Sequence, residues 1–452
     1  MKLSKKGIVF FAILLLLLLS ACSSNTGGKE ESKEKEESEE KTNVEANEED
    51  SDEEVTLTFV APWSEEQVES RFKADFEAQY PNIKIEPISA WTDTEAFEEL
   101  FSKNIVPDVS LVLGDFEEMN ELDMVYPLDD LVEKNNMDLN KFREGAIEAI
   151  RSRDPEGEGH LLGIPVEDVV IGLFYNKEIF DKFGVNYPTD GMTWDEVIDL
   201  ATKVTGERDG TQYYGLETHS LSQAILQLSV TGTDPETGEV LFDQKPEYAQ
   251  YFNLIKKIHD IPGNIPDNPD DKSGLEGRNV AMNLRTVSNI PVFLETEGLD
   301  FDVVSFPSWP DNPNVAPNNL PLTLAISPES EHKEAAFKLL EFITSKEQQI
   351  NMAKIGVAPV LGDAEIRSYL AYKDGEKVEG LNIEGIYSGT PAEPAEYSPY
   401  GPDVLLYGGN FIGEMTTEFV EEYRESGTDV NTFIREMQEK YEAKIEEEKN
   451  KK

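Results

Sequence analysis

An alternation of strand-like and helix-like segments constrains the possible folds of this chain most strongly. Residues 55–59 alternate apolar and polar side chains, as a half-buried strand does. A capping box at 64–67 then predicts a helix that ends before Pro81. Further strands are predicted at 83–85 and 107–113, with a helix between them. Strands that alternate with helices in this way predict a mostly parallel sheet with helices on its faces.

The alternation returns in the second half of the chain. Residues 169–175 form an apolar strand-like run, and a second capping box at 193–196 begins a helix. The folded part spans about 400 residues, which is too long for one ordinary core and predicts two domains. The remaining predicted helices and strands lie at 177–183, 248–259, 301–307, 322–326, 334–343, 346–354 and from about Val430 onward.

The first 21 residues have the composition of an export signal. Lysines precede a short apolar run at 8–19, and small residues precede Cys22. The run is too short for a membrane-spanning helix, which needs about 20 apolar residues. Cys22 is the only cysteine, so the chain has no intramolecular disulfide and no thiolate metal cluster. An ordinary cleaved signal beside a chance cysteine is the alternative interpretation.

Two segments are too polar to join a packed core. Residues 22–54 consist mostly of Glu, Lys, Ser, Asn and Gly, so we expect an extended, disordered tether. Residues 446–452 are Glu, Lys and Asn, and we expect a frayed tail there.

The net charge limits the classes of partner. The chain carries a formal charge of −51 at pH 7, which argues against nucleic acid because phosphate binding needs clustered Lys and Arg. The acidic surface suits high salt or alkaline surroundings, or it simply provides solubility. Four histidines and one cysteine argue against a transition-metal site, and no motif indicates a cofactor.

Several segments resemble known families. Leu19-Ser20-Ala21-Cys22 resembles the lipobox of bacterial lipoproteins, in which the cysteine is acylated and becomes the mature N-terminus. Other segments resemble, in the same order, the family 1 extracellular solute-binding proteins, which are the maltose-binding-protein-like components of ABC sugar importers. These segments are 76–86, 107–109, 173–180, 193–196, 324–327 and 332–347.

The family resemblance implies a two-lobed α/β fold of the periplasmic-binding-protein type, with hinge segments between the lobes. The N-lobe would comprise 55–165 plus 321–371, and the C-lobe 166–310 plus 372–445. It implies a monomeric, non-enzymatic receptor that captures a sugar, such as an oligosaccharide, between the lobes and delivers it to an ABC permease. Lipid on Cys22 would hold the receptor on the outer face of a Gram-positive cell membrane.

Two other functions are compatible with the residues. A lipid-anchored enzyme acting on polysaccharide, such as a glycosidase, would need two carboxylates at a fixed separation, and the many acidic residues offer such pairs by chance. The same fold could also bind a peptide, a polyamine, a metal or an organic anion.

Aromatic side chains are candidates for sugar platforms, because sugars present flat apolar faces together with hydroxyl groups. Trp63 follows the first predicted strand, Trp91 follows the second, and Trp309 lies near the expected hinge. Packing in a core is the alternative for each. The resemblance implies packing for Trp194, which lies in the second capping box.

Polar candidates come from the resemblance. Asp115 aligns with a ligand-binding aspartate of the family. Glu167 and Asp168 lie at the expected crossing between lobes, where the family's ligand carboxylate itself aligns with Val169. Arg285 falls near a sugar-stacking tryptophan of the family and could bind a carboxylate or a pair of hydroxyl groups. A surface or interlobe ion pair is the alternative for Arg285.

The last candidates are loop residues. Tyr397 and Tyr400 fall where the family would have a late aromatic platform. His219 lies near another expected ligand loop, but we interpret it as an ordinary loop histidine.

Overall fold

The computed structural model describes residues 54–114, 116–217, 220–266, 274–396, 398 and 411–451. The predicted export signal, Cys22 and almost all of the predicted tether lie outside these residues, as do Asp115, His219, Tyr397 and Tyr400. Among the residues that are described, no helix is both long and apolar enough to cross a membrane.

Strands and helices alternate along most of the described chain. The strands are β1 Val55–Ala61, β2 Ile83–Ser89, β3 Val109–Val112, β4 Ile164–Glu167, β5 Ile171–Asn176, β6 Gly206–Arg208, β7 Thr211–Glu217, β8 Val280–Thr286, β9 Phe301–Val304, β10 Val315–Ala316, β11 Leu322–Ile326, β12 Tyr372–Lys373, β13 Glu376–Lys377 and β14 Thr390–Pro391. The helices are α1 Glu65–Val68, α2 Ala74–Gln79, α3 Thr94–Ser102, α4 Glu117–Glu121, α5 Asp129–Lys134, α6 Ala146–Arg151, α7 Lys177–Phe183, α8 Trp194–Val204, α9 Pro246–His259, α10 Ile290–Glu295, α11 Lys333–Ile343, α12 Lys346–Lys354, α13 Ala364–Arg367, α14 Ile383–Ile386, α15 Phe411–Ser426 and α16 Val430–Lys451.

Both capping boxes begin helices as predicted. The Ser64 side chain accepts from the backbone N–H of Gln67, and the Gln67 side chain accepts from the N–H of Ser64. Thr193 and Glu196 make the same reciprocal pair at the start of α8. A π-helical turn, Glu69–Lys73, joins α1 to α2 into one continuous helical segment.

The first sheet has the strand order β2-β1-β3-β11-β4. Strand β1 runs parallel to β2 and β3, whereas β11 runs antiparallel to both of its neighbours. Four of the five strands therefore share one direction, as expected for a mostly parallel sheet. The exception, β11, returns to this sheet after the chain has built the second one.

The second sheet has the strand order β6-β7-β8-β5-β9. Strands β7 and β8 are parallel, whereas β5 is antiparallel to β8 and β9, and β6 is antiparallel to β7. Only three of the five strands share one direction, so this sheet is more mixed than predicted. The reason is that β5 enters directly from the first sheet and begins at the edge where β7, β8 and β9 end. The predicted two-lobed α/β fold is confirmed.

Each sheet packs against helices, and buried apolar side chains fill the space between them. One hydrophobic cluster fills the first lobe and covers one face of the second sheet, where Phe174, Phe293 and Phe301 meet. A second cluster lies between the other face of that sheet and α8, α9, α15 and α16. Helix α16 buries the apolar face predicted from its spacing and continues to Lys451, beyond residue 446 where a frayed tail is predicted.

The chain crosses between the two sheets three times. The first crossing segment, 168–170, joins β4 to β5, and the second, 305–321, joins β9 to β11. The third, 371–382, leads from the end of the first lobe to α14, which packs against β5 and β9.

Candidate functional site

The crossing segments bring two sheet edges together. Strands β1, β3 and β4 end at one edge of the first sheet. Strands β7 and β8 end at one edge of the second, beside the start of β5, because Ile171 lies opposite Thr286. Ligands of open α/β sheets bind outside the carboxyl ends of the strands. The space between these two edges is therefore the candidate site.

Trp63 lies just beyond the end of β1 and is largely covered, with 8% of its surface exposed. Its ring centroid is 6.2 Å from that of Phe59, and the two planes differ by 26°. The guanidinium carbon of Arg71 lies 4.4 Å from the Trp63 ring centroid. The indole thus contacts both an aromatic ring and a cation at the edge of the first sheet.

Arg71 joins Trp63 to a carboxylate that was predicted separately. Its Nη1 lies 2.6 Å from Oε2 of Glu167, the last residue of β4. Burial raises the pKa of the Glu167 carboxyl, although the Arg71 charge and its hydrogen bond act in the opposite direction. Sequence reasoning missed Arg71 because its partner is 96 residues away along the chain and no motif marks it.

Trp91 lies two residues beyond the end of β2 and is 58% exposed. Among the described large apolar side chains, few are so open to solvent, and an exposed tryptophan beside strand ends is available for stacking. Nearby, the backbone N–H of Thr94 donates to Oε2 of Glu118 at 3.0 Å, which ties the start of α3 to α4.

Polar side chains mark the facing edge of the second sheet. Asn283 Nδ2 donates to Oε2 of Glu217 at 2.5 Å, and Nη2 of Arg285 lies 4.0 Å from the same oxygen. Within the described structure, Arg285 Nε and Asn283 Oδ1 are buried without a hydrogen-bond partner. Sequence reasoning predicted Arg285 but missed Glu217, because the strand that ends at Glu217, β7, was not predicted.

Asp168 pairs with a different arginine from Glu167. Its carboxylate accepts from Arg143 Nε and from the backbone N–H of Val169. Arg143 Nη2 also donates to the Asn319 carbonyl at 3.0 Å, and Asn319 Nδ2 donates to the Val169 carbonyl at 3.0 Å. Arg143 and Asn319 therefore fasten the first crossing segment to the second.

A cavity of about 270 Å³ lies on this Asp168 side, separate from Trp63 and Glu167. Its walls come from Val169 and Val170 in the first crossing segment, from Pro317 in the second, and from Tyr387 and Pro391 beyond the third. Val169, at the position of the family's ligand carboxylate, thus lines a mainly apolar cavity.

Trp309 lies in the core of the second lobe. Its Nε1 donates to the Ala224 carbonyl at 3.0 Å, and its ring centroid is 6.4 Å from that of Trp194. Trp194 in turn packs edge-on against Phe306. The structure thus links Trp63 to Glu167 through Arg71 and leaves Trp91 at a strand end. It puts Arg285 on the facing edge, Asp168 on the opposite side of the crossing and Trp309 in a core.

The sequence matches the family of bacterial extracellular solute-binding proteins over residues 59–350, and the chain belongs to this family. Three solved structures illustrate the similarity of fold. The sugar-binding protein MalE from Xanthomonas citri has a TM-score of 0.67 at 19% identity, with 87% of this chain and 98% of that chain covered.

A sugar transporter from Rhizobium etli, in an open conformation, has a TM-score of 0.66 at 20% identity, covering 86% and 99% of the two chains. An ABC substrate-binding protein from Listeria monocytogenes in complex with cycloalternan has a TM-score of 0.64 at 17% identity, covering 87% and 99%. At these identities the similarity shows the shared fold.

A metal-centred site finds no support in the described residues. In that part of the chain, no group of three or more His, Cys, Asp or Glu side chains is arranged to hold a metal ion.

Proposed function

We propose that this extracellular solute-binding protein captures a saccharide, such as an oligosaccharide, between its two lobes and delivers it to an ABC permease. The observation that carries the proposal is the set of side chains at the carboxyl ends of the strands. Trp63 and Glu167, linked by Arg71, lie at the ends of β1 and β4 in the first sheet, and Glu217 and Arg285 lie at the ends of β7 and β8 in the second. Aromatic rings and carboxylate or guanidinium groups are the side chains that sugar sites use.

The exposed Trp91 ring and the loop residues complete the proposed site. Asp115, Tyr397 and Tyr400 join it as ligand-binding candidates on the basis of family resemblance, together with Glu167 and Arg285. Asp168 and Trp309 are assigned supporting roles in the crossing segment and in the core. The solved structures of similar fold include proteins described as sugar-binding or as complexed with an oligosaccharide, which supports the choice of ligand class.

The lobes close as two bodies in this proposal. Residues 55–167 with 321–371 form the N-lobe, two residues more than predicted because β4 of the first sheet extends to Glu167, and 171–310 with 372–445 form the C-lobe. The crossing segments then act as hinges. Closure is driven by the greater affinity of the closed state for the solute. The protein acts as a monomeric receptor and performs no catalysis.

A lipid on Cys22 holds the receptor on the outer face of the cell membrane of a Gram-positive bacterium, and residues 22–54 form the tether. One acyl chain gives only reversible attachment, so a diacylglyceryl group on Cys22 is the appropriate anchor. Mass spectrometry of the mature protein should find a modified Cys22 at its N-terminus. The Cys22→Ser variant cannot carry the lipid, so we expect it to be released into the medium as a soluble protein. A Cys22→Ser variant that stays bound to the membrane would contradict the anchor.

A thermal-shift screen of mono- and oligosaccharides tests the ligand class. A sugar at 100 times its Kd should add about 2.7 kcal/mol to the free energy of unfolding. Trp63→Phe should weaken binding, whereas Trp309→Phe should lower stability and leave the Kd unchanged. A melting temperature that responds to a non-sugar solute and to no saccharide would show that the sugar assignment is wrong.

A measurement of substrate turnover distinguishes the enzyme alternative from the receptor function. Incubation of the protein with aryl glycosides and with polysaccharide should release no product, even where binding is measurable by calorimetry. Product release that depends on Glu167 or Glu217 would favour a glycosidase over a receptor.

A further inference from the structure

Arg71 occupies a position between two functional regions of the first lobe. On one side its guanidinium carbon is 4.4 Å from the Trp63 ring centroid, at the end of β1. On the other side its Nη1 is 2.6 Å from Oε2 of Glu167, the residue that precedes the first crossing segment. A planar guanidinium can lie flat on a ring while the N–H groups in its plane hydrogen-bond to a carboxylate.

The backbone of Arg71 is also held in an unusual way. Arg71 is the central residue of the π-helical turn Glu69–Lys73, and single π-helical turns are frequent at functional positions. The buried side chain of Gln348, at the start of α12, donates to the Arg71 carbonyl oxygen at 2.5 Å. Arg71 is therefore anchored through its backbone as well as through its side chain.

Both ends of this connection are shielded from water. The Arg71 and Glu167 side chains are 16% and 13% exposed, and Trp63 is largely buried. In a shielded environment an ion pair is screened less than at the surface, and removal of one partner leaves a charge without compensation. A displacement of the Trp63 ring should therefore change the energy of the Arg71–Glu167 pair.

We infer that Arg71 is a positioning residue that couples Trp63, at the solute-facing end of β1, to Glu167 at the start of the first crossing segment. The inference rests on the proposed function only in assigning Trp63 to the solute side. Through this coupling, a solute that moves or orders the Trp63 ring changes the strength with which Glu167 is held, and so biases the hinge. Coupling of this kind is reciprocal, so a change at Glu167 must also be felt at Trp63.

A double-mutant cycle tests the coupling without any solute. Trp63→Phe and Glu167→Gln are made singly and together in the full chain, once with Arg71 present and once in an Arg71→Met background. With Arg71 present, the effects of the two substitutions on the unfolding equilibrium constant should depart from independence by a factor of about two or more. In the Arg71→Met background, which has no charge to bridge the two residues, the effects should be independent.

A matched control uses the next cation on the same helical segment. Lys73 pairs with Glu69 at 3.0 Å and with Glu77 at 3.4 Å. Lys73→Met combined with Trp63→Phe should show independent effects. Independence of Trp63→Phe and Glu167→Gln with Arg71 present would overturn the inference, as would a departure that persists in the Arg71→Met background.

Fluorescence gives a second measurement that does not depend on unfolding. The signal of Trp63 is the difference between the wild-type protein and Trp63→Phe, and acrylamide is the quencher. Glu167→Gln should increase quenching of Trp63, whereas Lys73→Met should leave it unchanged. Unchanged quenching in Glu167→Gln would mean that Arg71 only shields the Trp63 ring from solvent, and this result would overturn the coupling.

The two proposals fail in different ways. If the cycle shows coupling and no saccharide raises the melting temperature, the sugar assignment is wrong and the coupling stands. If a saccharide binds and the cycle shows independence, the receptor function stands and the role of Arg71 is wrong.

Discussion

Glu167 and Asp168 are adjacent in the chain, and each pairs with an arginine, but on opposite sides of the first crossing segment. Glu167 contacts Arg71, which belongs to the helical segment after β1 and touches Trp63. Asp168 contacts Arg143, which also binds the carbonyl of Asn319 in the second crossing segment. The Glu167 side chain remains 13% exposed, whereas that of Asp168 is 1% exposed.

These different partners and exposures indicate that Glu167 and Asp168 have different roles in the first crossing segment. Asp168, Arg143 and Asn319 form a closed hydrogen-bond network that holds two crossing segments together. Glu167 and Arg71 form a less enclosed pair that faces the proposed solute side. Of the two adjacent acids, Asp168 is therefore a structural residue and Glu167 is a candidate functional residue. Successive side chains of an extended segment point to opposite sides, which explains why the two acids differ.

Arg143→Met should have the largest effect on stability. It leaves the buried Asp168 carboxylate without its arginine and breaks the link to Asn319. Loss of one partner from a buried ion pair costs about 3–5 kcal/mol. Urea denaturation followed by circular dichroism measures the change. Arg143→Lys, which keeps the charge, should cost less, and a cost below about 1 kcal/mol for Arg143→Met would contradict the structural role.

Glu167→Gln should have a smaller effect on stability. Burial disfavours the charge on Glu167, as its raised pKa indicates, so a neutral side chain of the same shape loses only part of a charge-assisted hydrogen bond. We expect a cost of about 1 kcal/mol in the same urea experiment. A cost equal to that of Arg143→Met would remove the distinction between the two sides of the crossing segment.

The pH dependence of stability should distinguish Glu167 from an ordinary acid pair. Because burial raises the pKa of folded Glu167, its stabilising contribution is complete below the unfolded pKa of about 4.3 and falls as pH rises through the folded pKa. As pH rises, the free energy of unfolding of the wild type should therefore fall relative to that of Glu167→Gln. Denaturation midpoints measured across this pH range provide the test.

Glu77 is the control for this pH experiment, because its pKa is shifted in the opposite direction from that of Glu167. Burial tends to raise its pKa, but the Ile85 N–H and the Lys84 and Lys73 side chains outweigh burial and lower it. Its stabilising contribution is therefore present above the unfolded pKa and is lost as pH falls through the folded pKa. Glu77→Gln and Glu167→Gln should thus change with pH in opposite directions, and parallel changes would show that Glu167 is an ordinary surface acid.

Lys203→Met should have the smallest effect. Lys203 pairs with Asp199 one helical turn away, and both side chains are more than half exposed. Exposed pairs of this kind contribute about 0.3–0.5 kcal/mol. The urea midpoint should shift little, and a shift as large as that of Glu167→Gln would mean that exposure does not rank these ion pairs.

Local patterns in the sequence determined most of the fold. The two capping boxes begin helices at Glu65 and Trp194, because capping depends on residues three apart. The apolar face of α16 follows from helical spacing alone. Strand direction in the second sheet was less predictable, since β5 runs against its neighbours only because of where the chain enters that sheet.

The candidate site could be predicted only in part. Trp63 and Glu167 were identified separately, one from its place after a strand and the other from an expected crossing. Arg71, which connects them, carries no sequence signal. For Trp309 the sequence left a sugar platform and core packing equally open, and the structure places it in a core. The sequence alone determined the acidic character of the chain and many of its helices and strands, because these depend on composition and on neighbouring residues, although β7 and β8 were not predicted. Only the tertiary structure decided which side of the crossing each acid faces, because that depends on contacts between residues far apart in the chain.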